Sequence, residues 1–120
     1  GPFGGGAGND RGGAVLKKSL LELCLLHLLA EQDRYGYELL GQLHAGFPDT
    51  QESALYALLR GLCREGCTES YTGQVSEGPA RKYYRLTPMG AEKLAGLLAE
   101  WRALTRALLD LGIDGMEPSK

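Results

Sequence analysis

Read from the N-terminus, the chain changes its hydrophobic period several times, and each change marks an element. Over residues 14–31, Val15, Leu16, Leu20, Leu21, Leu23, Leu25, Leu26, Leu28 and Leu29 cover almost the whole circumference of a helix, a pattern that needs cover on two sides. A shorter helix is expected over residues 36–45, with Leu39, Leu40 and Leu43 on one face, Gly46 as its stop and Pro48 just beyond. A third should start at Asp49, which forms a capping-box pattern with Glu52, and run to Arg64 ahead of Gly66. Its Leu55, Leu58, Leu59 and Leu62 share a face that must be buried. That leaves Glu52, Tyr56, Arg60 and Cys63 on the exposed side.

The period then drops to two. Residues 67–72 and 81–86 are rich in Thr and Tyr and flank residues 73–80, which contain Gly73, Gly78 and Pro79, so they read as a hairpin with a long tip. Alternation in the second strand puts Tyr84 and Leu86 on the core face and Tyr83 and Arg85 on the other, with Arg81 and Lys82 near the tip. Thr87 and Pro88 then form an N-cap and first-position proline for a last helix that reaches about Gly112. Along it Leu94, Leu97, Trp101, Leu104, Leu108 and Leu111 recur as a and d positions, a seam for another helix. The expected fold is mainly α with a small β-hairpin wing: a winged helix-turn-helix over residues 14–87 and a C-terminal dimerisation helix over 88–112. Residues 1–13, mostly glycine, and 113–120 read as loose tails.

Composition narrows the function. A chain of 120 residues, 43% hydrophobic and 23% charged, suits one soluble domain. No apolar run is long enough for a bilayer, and the richest, residues 20–30, is broken by Glu22 and His27. Three cysteines without a CxxC argue against disulfides and a thiolate zinc site, which fits a reducing cytoplasm. His27 and His44 lack partners at metal-ligand spacing, and no nucleophile–base constellation or phosphate-cradling glycine loop is visible. Neither a cofactor, a metal nor an enzyme is expected. The net charge of −2 does not advertise DNA, although residues 51–85 carry five basic and four acidic side chains, a balance of +1.

The motifs speak more clearly than the charge. Tyr35-Gly36-Tyr37-Glu38-Leu39, Glu52-Ser53-Ala54-Leu55-Tyr56 with Leu59, Leu62 and Arg64-Glu65-Gly66, then Arg81-Lys82-Tyr83-Tyr84-Arg85-Leu86-Thr87, and finally Gly90 and Trp101, stand in one order. Together they resemble the PadR family, phenolic acid decarboxylase repressor and its relatives, along about residues 15–111. The resemblance implies a repressor whose homodimer places two recognition helices on a near-palindromic operator in double-stranded DNA. It further implies a hydrophobic or aromatic effector at the dimer interface.

On this reading the DNA-facing residues are Tyr37, Gln51, Ser53, Tyr56, Arg60, Arg81 and Lys82. Gln51 can pair with adenine, Ser53 and Tyr56 can bond phosphates, and the wing's cations can clamp the backbone. Tyr35 and Tyr37 suit phosphate contact and helix packing equally. Leu16, Leu20, Leu97 and Trp101 are the candidate lining of the effector space; Trp101 serves equally as seam core. Cys63 and Cys67, four apart, suit burial or an oxidation response. The sequence departs from the family at Gln51, Ala54 and Ala57, where relatives carry Ser, Thr and Pro. These departures, with the acidic balance, motivate the alternative of a winged-helix module that binds protein or small molecules and has lost sequence-specific DNA binding.

Overall fold

Four helices and a three-stranded sheet follow one another in the computed structural model, which describes residues 6–73 and 78–115. The order is α1 (Gly6–Glu31), β1 (Arg34–Tyr35), α2 (Gly36–Gly46), α3 (Glu52–Arg64), β2 (Thr68–Gly73), β3 (Arg81–Leu86) and α4 (Pro88–Asp110). The expected tails and hairpin tip fall partly on residues 1–5, 116–120 and 74–77, which lie outside the described residues.

Helix α1 is the hub of the fold, in contact with α2, α3, α4 and β3. Its Leu21, Leu25, Leu26 and Leu29 meet Leu39, Leu40 and Leu43 of α2, Leu55, Leu59 and Leu62 of α3, Tyr84 of β3 and Leu94 of α4 in one core. Each such leucine contributes roughly 2 kcal/mol by leaving water. The helix starts at Gly6, ahead of the expected Ala14. Glycines 6, 8, 12 and 13 each cost about 1 kcal/mol relative to alanine in a helix, so these are its least stable turns.

The link from α2 to α3 departs from the capping-box expectation. Gly46 is the last residue of α2 rather than a left-handed stop, and the Phe47 N–H donates to the Leu43 carbonyl at 2.9 Å. A turn closed by the Thr50 N–H on the Phe47 carbonyl (3.0 Å) has Pro48 and Asp49 at its centre. Proline pre-sets the first central position of such a turn, which commits Asp49 to the turn and moves the N-cap to Gln51. There the backbone carbonyl alone accepts from Ala54 and Leu55, and no side chain caps the helix.

Helices α3 and α4 end alike. Gly66 (φ +83°) and Gly112 (φ +90°) follow them in the left-handed region. The next residues, Cys67 and Ile113, donate back to the Leu62 and Leu108 carbonyls at 2.9 and 2.8 Å, the paired closure that satisfies orphan carbonyls. The hairpin folds against this end of α3. Cys63, expected on the exposed side, is therefore half-buried with its Sγ 3.0 Å from Thr68 Oγ1. Tyr56 is half-buried too and packs against the core. Cys67 is buried, and desolvation pushes its thiol above the ordinary range, an unreactive setting.

The sheet runs β1-β3-β2, all antiparallel, with Arg34 opposite Tyr84 and Tyr35 opposite Tyr83. Strand β1 is held by Arg34, a buried arginine that donates to the Leu28 carbonyl at 2.9 Å and to Glu31 Oε1 at 2.8 Å. A cation at the end of α1 suits both the free carbonyls and the negative pole of the helix. At the other end of β3, Thr87 Oγ1 accepts from the Gly90 N–H at 3.0 Å and Pro88 opens α4, as expected. No helix of the described residues is long and apolar enough to cross a membrane.

Lys93 ties three elements together. Its Nζ lies 2.8 Å from Glu65 Oε1 after α3 and 3.4 Å from Glu22 Oε2 of α1. Glu65, hydrogen-bonded by Lys93, titrates below its ordinary 4.5, and Lys93 titrates above its ordinary 10.5 for the same reason. A lowered carboxyl pKa means stability present above the unfolded value and lost as pH falls through the folded one. The raised Lys93 pKa means stability lost only as pH rises past 10.5. Lys93→Gln is therefore expected to lower thermal stability at neutral pH, by under about 1 kcal/mol since Glu65 is half-exposed. The difference from the parent should shrink as the pH of the melts is lowered below 4.5.

Candidate nucleic-acid interface

The site is built around the start of α2. Its N-cap Tyr35 supplies no side-chain acceptor, so the first N–H groups of the helix keep their hydrogen-bonding capacity and the positive end of the helix dipole. Pairing of β1 with β3 brings Tyr35 beside Tyr83, and with it the basic end of the wing beside α2. The Tyr84 ring packs so closely on Gly36 that a Cβ there would lie 3.3 Å from it. Tyr35, Gly36, Tyr37, Tyr56, Arg81, Lys82 and Tyr84 line one groove of about 610 Å³. A helix N-terminus, two cations and several phenols in one open concavity suit a phosphate backbone.

The wing's cations are not equivalent. The Arg81 guanidinium sits 4.6 Å above the Tyr35 ring, and Lys82 lies 5.7 Å from the Tyr84 ring. Neither forms a carboxylate ion pair among the described residues. Arg85 does: its Nε is 2.7 Å from Glu69 Oε1, and its guanidinium covers Tyr71 at 5.2 Å. Tyr71 stacks on Tyr83 (5.7 Å), which meets Tyr35 edge-on (6.0 Å). The Tyr71 hydroxyl donates to Asp33 Oδ2 at 2.6 Å, and that carboxylate raises the phenol's pKa. This ladder fastens the wing to the loop ahead of α2 and holds Tyr35 under Arg81.

Of the residues expected to face DNA, Tyr37, Tyr56, Arg81 and Lys82 meet in the groove. Gln51, the N-cap of α3, and Ser53 and Arg60 within the helix are exposed but outside its lining. Tyr37 and Tyr56 also border a hollow of about 230 Å³ with Leu40, Gly41, His44 and Glu52, so a carboxylate stands beside the basic groove. Sequence reasoning missed β1 and the Tyr71–Tyr83–Tyr35 stack. The only local sign was the density of tyrosines in the two hairpin runs.

The α4 seam divides in two. Leu94, expected at the dimer interface, is buried in the chain's own core, and Leu97 is half-buried against it, because the first half of α4 lies on α1. Beyond it Trp101, Leu104, Leu108 and Leu111 are 41%, 48%, 45% and 77% exposed. Leu16, Leu20, Leu97 and Trp101 do come together, in a hollow of only about 30 Å³. Drug-sized ligands need roughly 300 Å³ or more, which this hollow of the single chain does not provide.

Among the described residues no group of three His, Cys, Asp or Glu side chains could hold a metal ion. Residues 25–96 match the transcriptional regulator PadR-like family, which comprises regulators rather than enzymes. An uncharacterised protein of Lysinibacillus sphaericus is 37% identical over 81% of this chain and 91% of its own length. The crystal structure of a Streptococcus transcriptional regulator superposes with a TM-score of 0.74 at 31% identity, covering 81% of this chain and 96% of that one. That of a PadR-like transcriptional regulator from Bacillus cereus does so with 0.72 at 34% identity, covering 78% and 92%. With the winged-helix topology and the wing motif, these matches place the chain in the PadR-like family of transcriptional regulators.

Proposed function

We propose that this regulator is a cytoplasmic repressor that binds a near-palindromic operator as a homodimer and releases it in response to a hydrophobic or aromatic effector. The observation that carries DNA binding is the groove shared by the start of α2, Tyr56 of α3 and the wing's Arg81 and Lys82. A phosphate seated there leaves the exposed N-cap Gln51 and the exposed Ser53 and Arg60 of α3 to meet the major groove. The second copy covers the exposed half of the α4 seam, from Trp101 to Leu111, and closes the open side of the hollow beside Leu16 and Leu20. Two Trp101 rings facing each other there would offer flat walls to an aromatic effector.

Selection of bound sequences from a random duplex pool tests the reading. Two inverted half-sites should be enriched, about ten base pairs or a multiple apart, as two-fold symmetry requires. Absence of any enriched motif would favour the second reading, a winged-helix module without sequence-specific DNA binding. Glu52 beside the groove and the net charge of −2 speak for that alternative.

A further inference from the structure

One side-chain bond joins the two edges of the sheet. Strands β1 and β2 are not hydrogen-bonded neighbours, because β3 lies between them. Yet the Tyr71 hydroxyl of β2 donates to Asp33 Oδ2, just ahead of β1, at 2.6 Å. The bond reaches across β3 along a single rung, since Tyr35 and Tyr71 both stand opposite Tyr83. At the β2 end this rung is firmly set. Tyr71 and Tyr83 stack with 17° between their planes, and a Cβ at Gly73 would collide with the Tyr83 ring. Arg85 covers Tyr71 and is held there by Glu69. The β1 end is weaker. Strand β1 pairs with β3 at two positions, and isolated pairing of two strands is marginal even when longer. Arg34 is turned to the end of α1. Tyr35, the residue beneath Arg81, therefore has backbone pairing and an edge-on ring contact to hold it. The charge-assisted bond from phenol to carboxylate supplies a fixed distance between β1 and the wing.

We infer that Asp33 and Tyr71 are positioning residues for DNA binding: their bond sets Tyr35 against the wing and so holds the Arg81 guanidinium at the groove. Neither residue lines the groove itself. The inference rests on the assignment of that groove to the phosphate backbone. It also reverses the sign expected of Asp33. An acidic side chain two residues from Tyr35 repels phosphates, whereas its removal here weakens binding.

Asp33→Ala, Asp33→Asn and Tyr71→Phe in the full chain, titrated onto a random-sequence duplex at about 100 mM salt, test this. Both Asp33 variants delete the same charge, so plain repulsion predicts equally tighter binding by the two. The positioning role predicts that Asp33→Ala and Tyr71→Phe each bind about fivefold more weakly than the parent. The double variant should be no weaker than either, and Asp33→Asn, which keeps an acceptor for the hydroxyl, should stay close to the parent. In an Arg81→Ala background Tyr71→Phe should cost nothing further, an outcome that general loss of structure would not reproduce. Melting should change little, since the bond is exposed and local. In the free chain, Arg81 side-chain protons shifted upfield by the Tyr35 ring should move toward exposed-arginine values in Tyr71→Phe and Asp33→Ala, but not in Asp33→Asn. Equal affinities of the two Asp33 variants, or Arg81 protons unmoved by Tyr71→Phe, would overturn the inference and leave the groove's assignment to DNA standing. A parent without salt-dependent binding would overturn both.

Discussion

Replacing Gly90 with alanine is expected to destabilise the chain by about 3 kcal/mol, at the upper end of what overpacking costs, in a domain whose whole margin is about 5–15 kcal/mol. Gly90 is buried in the first turn of α4, where the helix packs on the Cys67 backbone just ahead of β2. A Cβ built there collides with the Cys67 backbone carbonyl and comes within 2.8 Å of Leu86 Cδ1. That carbonyl cannot retreat, since it already accepts from the Thr87 N–H at 3.1 Å. Relief must come from moving α4, which would pull Gly90 from its cap on Thr87 and Lys93 from Glu65. Thermal unfolding by circular dichroism should record a fall of roughly 10–20 °C. Gly96→Ala is the control. Its Cβ meets nothing within 4 Å, so it should stabilise by up to about 1 kcal/mol through helix propensity. A Gly90→Ala protein that melts with its parent would refute this packing.

The second large effect concerns the exposed half of α4. Leu104→Glu with Leu108→Glu should convert the proposed dimer to a monomer and weaken operator binding by about a hundredfold or more, because two linked half-site contacts become one. Both side chains are about half-exposed in the single chain, so each protomer should keep its fold. In the dimer their carboxylates would be buried without partners, at several kcal/mol each. Sedimentation equilibrium reads the mass. A parent protein that is already monomeric, or a variant of unchanged mass, would contradict the assigned interface.

What the sequence disclosed depended on how far each signal reached along the chain. The leucines of α1 and the capped start of α4 persist over several turns, so their periods were plain. Leu94 and Leu97 belong to the same heptad stripe as Leu104 and Leu108, yet the chain's own core covers only the part of it before Trp101. Periodicity tells that a face is covered and not by what. The start of α3 was misplaced because Pro48 draws Asp49 into a turn, a local competition between two roles that aspartate fills equally well. Strand β1 has two residues, too few for any alternation, and its pairing with β3 is what gathers the site. Tyr37, Tyr56, Arg81 and Lys82 were legible as exposed or basic positions in family-like motifs. That they share one groove, while Gln51, Ser53 and Arg60 stay outside it, follows from tertiary pairing that no local pattern carries.

Salt dependence of binding tests whether the groove between α2 and the wing seats the phosphate backbone. Fluorescence-anisotropy titrations on duplex DNA between about 50 and 200 mM salt give the number of phosphates neutralised, at close to 0.9 log units of affinity per log unit of salt for each. For the parent, affinity should fall steeply with salt. In Arg81→Ala with Lys82→Ala it should be weaker at every salt concentration, with a slope lower by about 1.8 per chain. The same slope in parent and variant, or no salt-dependent binding by either, would contradict the assignment of this groove to DNA.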